Sequence, residues 1–227
     1  MRPPKTWQEN GWHIACQWDW DYGEAWAYQR SLVERVRETD EKWLIVCSHP
    51  DVLTHGRGLQ KAKKGQSFSL TEFSAEAHPN LPVPFYKIER GGGLTFHHPG
   101  QLILYPIVKL HPDRLGLSKL VDQLLLSVRA SLESQGLAGL DHQRELLGLW
   151  RGMHKLASVG IAIDRMVTLH GLALNVQRFD ALKAKLAHLA PCGMEFRTYT
   201  SVEELTGHPA TPSDLMPDIV RRFTHGR

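Results

Sequence analysis

Cysteine is scarce: Cys16, Cys47 and Cys192 are the only three among 227 residues, an odd number with no paired spacing. That argues against a disulfide framework or a structural zinc site and makes a reduced, cytoplasmic protein the default expectation. Charge of one sign is scarce too. With 27 Lys and Arg against 24 Asp and Glu, the net +3 is too small to suggest nucleic-acid binding. No run of about 18 apolar residues occurs, so no membrane span is expected. The opening MRPPKTWQENGWH lacks the apolar segment of a secretory signal. Neither G-x-x-x-x-G-K-[ST] nor a strand-linked G-x-G-x-x-G is present, which removes the usual nucleotide sites. The 13 histidines include no H-E-x-x-H and no carboxylate at a ligand spacing, so no metal is expected. The missing G-x-S-x-G elbow disfavours a serine hydrolase. There is no internal repeat.

What is present reads as an ordinary soluble domain. Hydrophobic residues make up 42% and charged residues 22%, and the length fits one domain, 1–227, with a substantial core. Gly11 to Trp18 predicts a short strand and Asp21 to Asp40 a helix, with Trp26, Leu32, Val33 and Val36 as a partial apolar stripe. KWLIVCS, Lys42 to Ser48, suits a buried strand. HPDVLTHGRGL then runs into a loop at Gly56-Arg57-Gly58, and residues 60–84 are expected to form a polar surface excursion or mobile loop. Strands are expected at Phe85 to Glu89 and Gln101 to Tyr105. Leu117 to Leu137 is the clearest helix, its leucines and valines spaced by three and four, with Gly136 as the stop. Gly148 to Arg151 is a short strand. Lys155 to Ile163 and Met166 to Val176 form a hairpin turning at Asp164-Arg165. Phe179 to Leu189 predicts a short helix, Pro191-Cys192-Gly193 a tight loop, and Thr200 to Leu205 and Ser213 to Phe223 the terminal helices. Hairpins beside helices point to a mixed α+β or α/β fold.

Chemistry concentrates in a few places. The stretch RGGGLTFHHPGQLILYP, Arg90 to Pro106, sets three glycines, two histidines, Arg90 and Gln101 between two apolar strands. Glycine lets a ligand approach the main chain with no Cβ in the way. An isolated GGG reads first as a hairpin loop, but this company favours a ligand cradle. Cys47 sits in an apolar strand, where a thiol behaves as a small hydrophobe, and Cys16 is similar. Cys192, between Pro191 and Gly193, is placed to present its sulfur. A thiol becomes a useful nucleophile when a nearby cation favours its thiolate. Lys155, among Leu156, Ala157 and Val159, is the candidate cation. Taken alone it also fits a solvated strand-edge lysine.

Together these segments resemble the bacterial lipoyl(octanoyl)transferases. RGGGLTFHHPGQLILYP is similar to that family's RGG-x-x-T-[YFW]-H-G-P-G-Q-L-x-x-Y-P signature. KLASVGIAIDRMVTLHGLALNV resembles its K-[IL]-A-[AS]-[LIV]-G and H-G-[LF]-A-L-N blocks, and PCGMEFRTYTS its P-C-G segment ending in a T-S pair. HPDVLTHGRG looks like its H-P-x-x-[YL]-T-x-G-[RT] stretch. The blocks keep the family's order across roughly residues 45 to 205. Two departures stand out: His98 replaces the usual glycine, and the segment from Asn175 to Cys192 is slightly long.

The resemblance implies a biotin/lipoate-protein ligase-like catalytic domain, a central mixed β-sheet flanked by helices. It implies transfer of an octanoyl group from octanoyl-acyl carrier protein to a lysine ε-amine in lipoyl domains of 2-oxoacid dehydrogenase complexes and the glycine cleavage H protein. That is the first step of endogenous protein lipoylation. Cys192 would carry a thioester intermediate and Lys155 would act as acid and base. The acyl-binding wall would be Arg90, Gly91, Gly92, Gly93, Leu94, Thr95, Phe96, His97, Ser158, Val159, Gly160, Gly171, Leu172 and Ala173. Small residues there would leave room for a straight chain against backbone. Backbone N–H groups near Cys192 or in a Ser158-Val159-Gly160 turn would hold the oxyanion. No cofactor and no metal are implied, since the thioester arrives activated, and a cytoplasmic monomer without nucleic-acid or membrane partners is expected. The alternatives are an ATP-dependent lipoate-protein ligase, a non-catalytic lipoyl-domain-binding module and a general cysteine hydrolase.

Overall fold

A computed structural model describes residues 3–58, 81–111, 113–143, 147–187 and 198–226. Strands β1 (Lys5–Glu9) and β2 (Trp12–Gln17) lead into helix α1 (Tyr22–Thr39), then β3 (Trp43–Cys47) and β4 (Val52–Gly58). Next come β5 (Phe85–Lys87), β6 (Gly92–His97), β7 (Gln101–Ile107) and helix α2 (Leu117–Ser134). Strands β8 (Asp141–Gln143), β9 (Gly148–Arg151), β10 (His154–Asp164) and β11 (Val167–Asn175) precede helices α3 (Asp180–Lys185), α4 (Val202–Thr206) and α5 (Pro212–His225).

Among the described residues these strands form two sheets. The larger runs β1-β2-β3-β7-β11-β10-β9-β8 and the smaller β5-β4-β6. Strand β2 is parallel to β3 and β4 to β5, while the other neighbours are antiparallel. The expected mixed sheet flanked by helices is what the chain builds.

Period-two alternation decides which helix covers which face. Leu44 and Val46 of β3, Leu102 and Leu104 of β7, and Leu172 and Leu174 of β11 join Leu120, Leu124 and Val128 of α2 and Ile219 and Phe223 of α5. The intervening Ile45 and Cys47, Ile103 and Tyr105, and Leu169 and Ala173 join Ala25, Leu32, Val33 and Val36 of α1. Each fully buried Leu, Ile or Val contributes about 1.5–3 kcal/mol, so the sheet is held from both sides.

Helix ends follow their caps. The Asp21 side chain accepts from the Glu24 N–H, and Asp40 closes α1 in a left-handed conformation. The run of α2 stops at Ser134, just short of Gly136 at φ +90°.

Several expectations need correction. Gly56-Arg57-Gly58 is not a loop but the end of β4, whose register against β6 shifts between His55 and Gly58. A Cβ on Gly56 would lie 2.4 Å from the Gly92 carbonyl oxygen, so the glycine serves a close backbone approach. Trp26 is only partly buried and packs on Tyr22, Val52 and Ile88, while Ala25 and Gln29 complete the buried stripe of α1. The hairpin turns one residue later than expected. Asp164 pairs with Val167, and Arg165 and Met166 take φ of 47° and 67°, the positive values a tight two-residue hairpin loop requires. The short edge strands β1 and β8 carry no periodicity strong enough to have announced them. Residues 60–80 of the expected excursion, the end of the helix predicted to Leu189, and the Pro191-Cys192-Gly193 loop lie outside the described residues.

Candidate active site

Strand β10 changes register between Lys155 and Ala157, so Leu156 is an extra residue opposite β9. Such a bulge re-aims the side chain beside it, here the lysine. Lys155 is 4% exposed, which removes the reading of a solvated strand-edge lysine. Its stem passes over Gly148, where a Cβ would lie 2.8 Å from Lys155 Cε. Its Nζ stands 5.2 Å from the centroid of the Trp150 ring. The Lys155 main chain bridges to Tyr199, and its carbonyl accepts from the Thr200 N–H at 3.1 Å.

The β10–β11 hairpin forms one wall. Ser158 faces Ala173, Val159 faces Leu172 and Gly160 faces Gly171 across the ladder. Residues 158–160 are therefore strand and not a turn, and the Val159 N–H already donates to the Leu147 carbonyl at 3.3 Å. It is not free for an oxyanion. The small residues here serve backbone approach more than ligand space. A Cβ on Gly171 would sit 2.1 Å from the Leu104 carbonyl oxygen, and one on Gly160 would sit 3.0 Å from that of Gly91.

The loop before β6 forms the facing wall. Arg90 is buried, its Nη2 donating to Thr54 O and Oγ1 at 2.8 Å each and its Nη1 to the Gly91 carbonyl at 3.0 Å. The Gly91 N–H donates to the Ile161 carbonyl at 3.2 Å, which lays this loop against the hairpin.

These walls border about 480 Å³ of space not filled by protein atoms, open solvent at the mouth included. The lining brings together Arg90, Gly91, Gly92, Thr95, His97, Lys155, Ser158, Val159, Gly160, Gly171, Leu172 and Ala173. Gly93, Leu94 and Phe96 are not on the wall. Strand alternation sends Leu94 and Phe96 to the opposite face, into an apolar cluster with Leu53, Phe179 and Tyr199, so no unbroken run of β6 can line one cavity. Cys192 lies outside the described residues.

Tyr22, Tyr105 and His170 also line the cavity and were not among the expected residues. Tyr105 and His170 stand inside the quoted sequence blocks, as the tyrosine before Pro106 and the histidine before Gly171, where a polar residue in a buried strand was the available signal. Tyr22 carries no such signal in the sequence.

The cavity's ring groups are uncharged near neutral pH. Burial lowers the His170 pKa to about 3 and the His49 pKa to about 4, and holds His97 well below its usual 6.5. Burial likewise raises the Tyr22 and Tyr105 phenols. His49 Nδ1 lies 2.7 Å from the Trp20 carbonyl and must donate there, so its Nε2, 3.0 Å from Tyr105 Oη, accepts the phenol proton. An apolar slot walled by hairpin backbone, with a buried lysine and neutral rings, suits an acyl chain and proton transfer at its end.

The profile of the lipoyl protein ligase A/B catalytic domain matches residues 21–224. An octanoyltransferase of Synechococcus elongatus is 37% identical over 212 residues, covering 91% of this chain and 81% of its own. One of Alkaliphilus metalliredigens is 34% identical over 194 residues, covering 83% of each. Among solved structures, a bi-partite lipoate protein ligase from Thermoplasma acidophilum, described with its E2 lipoyl domain, superposes with a TM-score of 0.66 at 16% identity. That match spans 93% of this chain and 82% of the other, a likeness of fold.

Proposed function

The chain belongs to the lipoyl protein ligase A/B catalytic family and, within it, to the octanoyltransferases; from that premise we propose that it takes octanoyl from octanoyl-acyl carrier protein onto the Cys192 sulfur and passes it to a lipoyl-domain lysine. The observation that carries this reading is the buried Lys155 at a cavity walled by Ser158 to Gly160 and Gly171 to Ala173.

Lys155 as an ammonium stabilises the Cys192 thiolate. The thiolate attacks the donor's thioester carbon, and Lys155 returns a proton to the departing phosphopantetheine thiol. Residues on either side of the Cys192 segment support a place near Lys155. Leu186 and Tyr199 share one apolar cluster with Phe96, and Tyr199 bridges to Lys155. Burying an eight-carbon chain at about 0.8 kcal/mol per methylene supplies roughly 5 kcal/mol of recognition. Acceptors are lipoyl domains, including those of 2-oxoacid dehydrogenase complexes and the glycine cleavage H protein, and the enzyme works as a cytoplasmic monomer.

Intact-mass spectrometry after incubation with octanoyl-acyl carrier protein tests the scheme. One octanoyl unit should appear on the wild-type chain and be absent from Cys192→Ala. Product formation with no adduct at any time point would falsify the covalent route.

A further inference from the structure

Proton balance in the transfer proposed above calls for a second proton acceptor. When the donor's thiol leaves, Lys155 gives up its proton and remains a neutral amine. The incoming lysine arrives as an ammonium at neutral pH and must shed two protons: one to free its lone pair, one as the amide forms. Neutral Lys155 takes one of them, which restores the ammonium beside the departing Cys192 thiolate. One proton is left over.

Resting on that reading, we propose that His97 Nε2 takes this remaining proton from the attacking amine as the N–C bond forms and the C–S bond to Cys192 breaks. His97 then returns the proton to water at the mouth of the cavity.

Hydrogen bonds behind the ring assign its tautomer. Asn175 Nδ2 donates to the Thr200 carbonyl at 3.0 Å, so Asn175 Oδ1 is the atom that accepts from Gln101 Nε2 at 2.9 Å. The Gln101 amide nitrogen also faces the Phe96 carbonyl at 3.4 Å. Gln101 Oε1 is therefore an acceptor, and it lies 3.0 Å from His97 Nδ1. His97 Nδ1 carries the hydrogen, which leaves the lone pair on Nε2 in a ring that lines the cavity.

The neighbouring rings do not offer the same thing. Both nitrogens of His49 are engaged, by Trp20 O and Tyr105 Oη. His98 is stacked on Phe179 and is not part of the wall. His170 lines the wall, but its Nε2 has no hydrogen-bond partner, and no chain of amides dictates which of its nitrogens bears the proton. Burial, with His49, Arg90 and His98 nearby, keeps His97 unprotonated, as a proton acceptor must be. A weak base suffices here, because the nitrogen of a tetrahedral adduct is far more acidic than a lysine ammonium.

The test separates the two half-reactions in the full-length chain by rapid-quench intact mass. The chain is loaded from octanoyl-acyl carrier protein and then challenged with a lipoyl domain. His97→Gln should slow transfer of its octanoyl adduct about 100-fold more than it slows loading. Equal slowing of both steps, or of neither, overturns the assignment while leaving the Cys192 route intact. A wild-type chain that never acquires an adduct removes both. Independently of any variant, two-bond proton–nitrogen correlation on histidine-labelled wild type should show the His97 hydrogen on Nδ1 and a bare Nε2. A hydrogen on Nε2 overturns the proposal.

Discussion

The two faces of the eight-stranded sheet are fed by the same strands yet do different work. Towards α2 and α5 the buried cluster is built of Leu, Val, Ile and aromatic side chains such as Leu104, Leu124 and Phe223. Towards α1 the neighbouring positions bring in Gln29, Tyr105 and His170, with His49 and Tyr22 beside them. One step in strand parity separates Leu104 from Tyr105. On the first face burial alone supplies stability, and shape matters more than direction. On the second, direction matters too, because a buried polar atom is stabilised by a partner. Gln29 Oε1, for example, accepts the His170 backbone N–H at 2.8 Å, where His170 holds φ at 60°. A non-glycine residue in that region is strained, and such strain gathers at functional sites.

The sharpest way to break this division is at Lys155. Replacing it with alanine should lower transfer by about 10²–10⁴-fold and raise the pH at which Cys192 is alkylated. Lys155→Met, which keeps the stem over Gly148, should do the same without loss of packing. An alkylation-versus-pH curve identical to wild type would remove Lys155 from its role.

On the opposite face, Leu124→Ala should cost about 2–5 kcal/mol in chemical denaturation and leave kcat/KM per folded molecule unchanged. A matching fall in kcat/KM would mean that the two faces are not separable.

A smaller and graded effect should appear with pH. Histidines in the unfolded chain protonate as pH falls through about 6.5, whereas in the fold His49 stays neutral until about 4 and His170 until about 3. The unfolded state therefore binds more protons in that window, so stability is highest above pH 6.5 and falls as the medium is acidified. Each histidine contributes up to about 1.4 kcal/mol per pH unit. Denaturation midpoints at pH 7.5 and 5 should show the decline, and His49→Gln should flatten it. An unchanged slope in the variant would mean that His49 is not held neutral by burial.

Much of this protein was legible before any coordinates. Asp21 and Asp40 bracket α1 as expected, and Gly148–Arg151 is a strand to the residue. The two long hairpin strands were readable too, because hydrophobic periodicity and turn chemistry are local properties of the chain. Edge strands such as β1, with one face open, lack that signal. The run Arg90 to His97 pointed to a ligand wall, yet a linear motif does not say which side of a strand each residue takes. Leu94 and Phe96 belong to the core, while Thr95 and His97 belong to the cavity.

By itself the sequence determined the longer helices and the hairpin strands, the mixed class of the sheet and the ordered blocks that mark the family, since each depends on residues close together in the chain. Tertiary structure alone decided the burial of Lys155, the neutrality of His97 and His170, and the backbone contact that leaves Gly171 no room for a side chain. Desolvation, hydrogen-bond direction and close approach arise between segments far apart in sequence, so they exist only once the chain has folded.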